Sequence, residues 1–163
     1  MGYAVTRAVL LVAALILGAA AFAQDKPAAK DVAAIEKCIK NKTGRHWAWE
    51  QCIGIISEPC AKNEGSMPSS EVIACEDRER AVWDGILNES YRRLRDALDD
   101  EQKGKLQAMQ RAWMTSRDKN CEFLYDYFQG TMANPMIAAC LSRATGMQAL
   151  YLRSFADDVA ERK

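Results

Sequence analysis

Histidine is nearly absent from this chain: His46 is the only one among 163 residues. That removes most routes to imidazole acid–base chemistry and to a histidine-rich metal centre. Lone His46, beside Trp47 and Trp49, reads as packed or solvated. Gly-x-Ser-x-Gly, a phosphate-cradling glycine loop and His-Glu-x-x-His are also missing. So is Cys-x-x-Cys, and the cysteine spacings of 14, 8, 15, 46 and 19 residues suit no common zinc motif. Net charge is lacking too. The 22 basic and 22 acidic residues balance, so nothing electrostatic draws the chain to nucleic acid or an anionic membrane. These absences predict a non-enzyme with no metal, no cofactor and no nucleic-acid partner.

One long apolar run is present, at the start. Arg7 gives a positive flank, Ala8 to Ala21 is uncharged and apolar, and Ala21-Phe22-Ala23 is a small-x-small cleavage site. This three-part layout predicts a secretory signal peptide over residues 1–23. The run is short of the ~20 apolar residues of a spanning helix. No cysteine lies near the cut for lipid attachment, and no later segment is apolar enough to span. Residues 24–30 read as a flexible polar tail, and 31–163 as one helical domain.

Six cysteines remain after the cut: Cys38, Cys52, Cys60, Cys75, Cys121 and Cys140. In an oxidising compartment an even number implies disulfides, here three, with fifteen possible pairings. Joining nearest neighbours gives Cys38–Cys52, Cys60–Cys75 and Cys121–Cys140. The first four remain open to exchange because Cys52 and Cys60 are close in sequence.

No stretch alternates as a half-buried strand does, whereas helical spacing recurs throughout. Short helices are expected from Asp31 to about Lys42 and from about His46 to Ser57. Pro59 and Asn63 to Pro68 then mark a loop. A long helix follows to Leu98, with Trp83, Leu87, Tyr91, Leu94 and Leu98 on one face. Gly85 inside it costs about 1 kcal/mol against alanine, and close approach of a neighbouring helix would explain it. Asp99 and Gln102 form a capping-box pattern that opens a second long helix. Gly130 breaks that helix, and Asn134-Pro135 supplies an N-cap and a proline for the third. The expected fold is all-α: a disulfide-stapled antiparallel three-helix bundle (60–163) preceded by a short helical hairpin (31–59). Charge along these helices is uneven. Glu71 to Glu101 holds ten acids and five bases, which reads mainly as a solvated face.

Several polar residues interrupt the apolar stripes. Gln110, Trp113, Arg117 and Cys121 share a face, with Asp118 beside Arg117, and Asn88 precedes Tyr91 by three. A charge on a packing face needs partners. The expected role of Asn88, Tyr91, Gln110, Trp113, Arg117 and Asp118 is a hydrogen-bond network that fixes helix register. A ligand or partner site is the other reading.

The pattern Leu87-Asn88-x-x-Tyr91-x-x-Leu94, then Leu106-x-x-x-Gln110-x-x-Trp113-x-x-x-Arg117-Asp118-x-x-Cys121, then Cys140-x-x-x-x-Thr145 resembles the LprI-like lysozyme inhibitor family. The resemblance covers Cys60 to about Phe155. Gln148 stands where many relatives have Arg, and the segment with Cys38 and Cys52 is an addition. The resemblance implies a periplasmic or secreted helical protein whose partner is another protein, with lysozyme as the candidate. Blocking lysozyme means plugging the sugar cleft between its two carboxylates. The candidate is an exposed loop at Phe128 to Pro135, with Phe128, Thr131, Met132 and Asn134 as contacts. The alternative is an envelope structural or adaptor protein, which an exposed Trp47 or Trp49 would favour.

Overall fold

A computed structural model describes residues 26–42, 46–62 and 69–162. The expected signal peptide, the first residues of the tail and the Asn63–Pro68 loop lie outside them, as do the side chains of His46 and Trp47. Five α-helices form: α1 (Ala29–Asn41), α2 (Ser57–Lys62), α3 (Ser69–Ala97), α4 (Asp100–Phe128) and α5 (Ala133–Glu161). Turns of 3-10 helix cover His46–Cys52 and Gly130–Met132. The described residues contain no strand, and no helix among them is long and apolar enough to cross a membrane.

The fold is all-α, and α5 is its centre. It packs along α3 and against α4, whereas α3 and α4 barely meet. Trp83, Val82, Leu87 and Leu94 of α3 bury against Ala149, Leu150, Leu152 and Ala156 of α5. Ile35 and Ile39 of α1, with Cys52 and Ile56, close the same core from the front. Close helix approach falls at Gly146, where an added Cβ would stand 3.1 Å from Ile53 and 3.2 Å from Trp83. Gly85, expected to serve that purpose, faces open space.

Three disulfides staple the helices: Cys38–Cys52, Cys60–Cys75 and Cys121–Cys140. Asp99 caps α4 with the capping box that its sequence spells. Its side chain accepts from the Gln102 amide at 2.8 Å, and the Gln102 side chain accepts from the Asp99 amide at 3.2 Å. Arg78 forks onto Asp31 at 2.6 and 2.5 Å, tying α3 to α1 and holding that carboxyl below the usual range.

Two boundaries differ from expectation. The helix foreseen over His46–Ser57 is a 3-10 turn, an irregular bend at Ile53–Ile56, and then α2. Gly54 takes φ +97° in the bend, a conformation suited to glycine. Pro59, read as loop, stands third in α2, within the first turn, where an amide N–H has no intrahelical partner. At the other end, Asn134 is the second residue of α5 and caps nothing. The 3-10 turn runs straight into the helix, leaving no gap for a capping side chain.

Candidate functional site

Because α4 leans on α5 and not on α3, a groove of about 310 Å³ opens between α3 and α4. Asp84, Asn88 and Tyr91 line it from α3, at the four- and three-residue steps that keep them on one face. Gln110, Trp113 and Arg117 line it from α4 at the same spacing. Buried Gln110 accepts a hydrogen bond from Gln148 Nε2 at 3.0 Å. Arg117 is held on three sides. Its Nε donates to Asp118 Oδ1 at 2.8 Å, a terminal nitrogen donates to Thr145 Oγ1 at 3.4 Å, and its guanidinium lies 5.0 Å from the centre of the Trp113 ring.

The expected network is therefore divided. Gln110 is fixed to α5 through Gln148, and Arg117 through Thr145, with Trp113 and Asp118 beside it. Asn88 and Tyr91 make no side-chain hydrogen bond among the described residues, Asn88 being exposed and Tyr91 half-buried. Both line the groove without being tied to Gln110 or Arg117.

A second feature lies at the far end of the α4–α5 hairpin. From Met114 to Phe128 the single buried side chain of α4 is Cys121, because nothing but α5 packs on this half. Phe123 (60% exposed), Tyr127 (68%) and Met132 (63%) stand out, with Tyr125 and Phe128 also exposed. Tyr127 and Phe128 meet edge to face at 5.0 Å. The sequence-predicted contacts all fall here, although the loop has nearly vanished. Phe128 ends α4, Thr131 and Met132 form the 3-10 turn, and Asn134 belongs to α5. Gln129 alone lies outside helical structure, with φ 52°.

A model of the lysozyme inhibitor LprI family matches residues 60–152, more than half of the chain. The chain belongs to the LprI lysozyme inhibitor family. No curated protein and no solved structure matches it. The LprI match spans the groove and the hairpin tip and leaves α1 and the Cys38–Cys52 bridge outside it. The family takes its name from inhibition, not from a catalysed reaction. Trp49, whose exposure would have favoured the adaptor reading, is half-buried against the core and donates to the Lys42 carbonyl at 3.3 Å.

Two acids that matter were hidden in the charge run Glu71–Glu101. Glu79 is wholly buried and accepts from the backbone amides of Gly54 at 2.6 Å, Ile56 at 2.9 Å and Ser57 at 2.8 Å, and from Trp83 Nε1 at 2.9 Å. Asp84 is half-buried and makes no hydrogen bond among the described residues. Loss of water pushes its carboxyl above the ordinary value, against the opposing pull of Arg80 and Arg117.

The raised Asp84 value fixes a sign. Folding disfavours its charged form, so the penalty is absent at low pH and grows as pH rises through the carboxylate range. Asp84→Asn should therefore raise the melting temperature at neutral pH, with the gain vanishing at about pH 3, below the unfolded carboxyl value. A lower melting temperature at neutral pH would mean that the charge is held by favourable pairing.

Proposed function

We propose that this protein is exported to the periplasm or beyond and there binds lysozyme, obstructing its sugar cleft with the tip of the α4–α5 hairpin. The observation that carries the reading is the cluster of exposed aromatic and methionine side chains at Phe123–Met132 in a member of an inhibitor family. Exposed apolar clusters of this kind mark interaction surfaces, and aromatic anchors carry much of their energy. The Cys121–Cys140 bridge at the base of the tip limits its freedom before binding, which lowers the cost of ordering. Flat rings and Met132 suit subsites shaped for sugar faces, while Thr131 and Asn134 supply hydrogen-bonding groups. Glu122, Asp126 and the carbonyl end of α4, whose last turn has no base, give the rim a negative field that favours a basic enzyme. Three disulfides accord with an oxidising compartment.

The test is a lysozyme assay with the purified exported protein and a Tyr127→Ser/Met132→Ser variant. The wild type should inhibit at micromolar concentration, and the variant should be weaker by about tenfold or more, as for loss of interface anchors. Circular dichroism should be unchanged, since neither side chain is in the core. A wild type that leaves lysozyme untouched would sink the proposal and favour an envelope adaptor. For that second reading, the exposed edge-to-face pair Tyr151–Phe155, at 4.9 Å on α5, offers a separate surface. Inhibition that ignores the substitutions would leave the function standing and move its site.

A further inference from the structure

We propose that the groove between α3 and α4 binds a small zwitterion of dipeptide size, its ammonium on Asp84, its carboxylate on Arg111 and its body against Trp113. The argument starts from which charges are committed. Two bases act on Asp84, and both are already engaged: Arg80 by Asp77, and Arg117 by Asp118 and Thr145. Asp84 and Arg111 line the same groove, and neither side chain has a hydrogen bond or ion pair among the described residues. The groove thus offers one unspent charge of each sign, on opposite walls, with Leu87, Trp113 and Met114 as apolar surface between them.

Spacing narrows the ligand. The hairpin closes at Leu98–Asp99, so α3 and α4 run antiparallel. Counted from that closure, Asp84 and Arg111 stand at nearly the same height, on two helices that barely meet. Even well-packed helix axes lie about 8–10 Å apart. Two extended residues span at most about 7 Å, and the long arginine side chain covers the remainder. A single amino acid would leave one charge unmet. A simple anion would meet Asp84 as a like charge, and a simple cation would meet Arg111. The volume of about 310 Å³ stands at the small end for ligand pockets, which suits a dipeptide and no larger peptide. An unpaired, half-desolvated carboxylate also costs the free fold stability, as expected where a group is kept for a partner.

The experiment is an NMR titration of the purified protein with L-alanyl-L-leucine, following the Trp113 indole N–H, identified by its absence in Trp113→Phe. The expected result is a saturable shift at millimolar dipeptide or below. Asp84→Asn and Arg111→Gln should each weaken binding by about tenfold, as for loss of one charge-assisted hydrogen bond. The dipeptide acetylated at its amine and amidated at its carboxyl should give no shift. Both substitutions should leave lysozyme inhibition as it is in the wild type, since α4 rises roughly 16 Å between Arg117 and Phe128. The idea is overturned if no saturable shift appears, if the capped dipeptide binds equally, or if both variants bind as the wild type does. Saturable binding of tri-N-acetylglucosamine in place of the dipeptide would overturn it equally, marking a sugar site.

Discussion

Glu79→Ala should destabilise the fold by roughly 3–5 kcal/mol, the range for removing one partner from a buried charged cluster. Three backbone amides and the Trp83 indole N–H would lose their acceptor at a site that water does not reach. Each unsatisfied buried donor costs about 1–3 kcal/mol, and local rearrangement recovers part of the sum. Glu79→Gln should be milder, because its remaining oxygen still accepts while its amide nitrogen faces the other donors. Urea unfolding of the wild type and both variants, followed by circular dichroism at 222 nm (the helix band), checks this. Equal stabilities for Ala and Gln, or a loss from Ala below about 1 kcal/mol, would contradict the buried-acceptor account.

Removing the Cys121–Cys140 bridge as the Cys121→Ala/Cys140→Ala variant should cost about 3 kcal/mol in the chain-entropy model, for a loop closed across 19 residues. The functional loss should be larger than the structural one. From Met114 onward α4 has little besides this bridge and the flank of α5 to hold it. Freed, the last turns should fray, and the proposed inhibition of lysozyme should fall while the helix content of α3 and most of α5 is retained. Hydrogen exchange by residue would show the loss of protection confined to about 121–140. Uniform loss across α3 would mean that the bridge supports the whole bundle.

Much of the bundle could be read from periodicity, because apolar stripes and caps are local signals. The Asp99–Gln102 box, the break at Gly130 and the three long helices all follow from residues a few positions apart. The bend at Ile53–Ile56 could not be read in this way, since its amides are directed by Glu79, more than twenty residues away. A trace was there: Glu79 stands one turn before Trp83, on the upstream extension of the same stripe. Its carboxylate made it look like one more member of a solvated charge run. The exposed aromatics upstream of the tip, Phe123, Tyr125 and Tyr127, were hidden for a related reason. Whether a helical face is covered depends on how far α3 lies from α4, which no local spacing records. The polar stripe on α4 was visible as a pattern, but Asp84 across the groove was not, because its significance comes from burial without a hydrogen bond.

The position of Glu79 also bears on how the first four cysteines are parted into two pairs. Its carboxylate grips Gly54, Ile56 and Ser57, the stretch of chain between Cys52 and Cys60. These two thiols, eight residues apart, are the easiest to oxidise wrongly to one another. With the bend fixed on α3, Cys52 is turned back toward Cys38 on α1 and Cys60 forward toward Cys75 on the same helix that carries Glu79. In the folded protein one side chain thus holds the partition between the two front bridges.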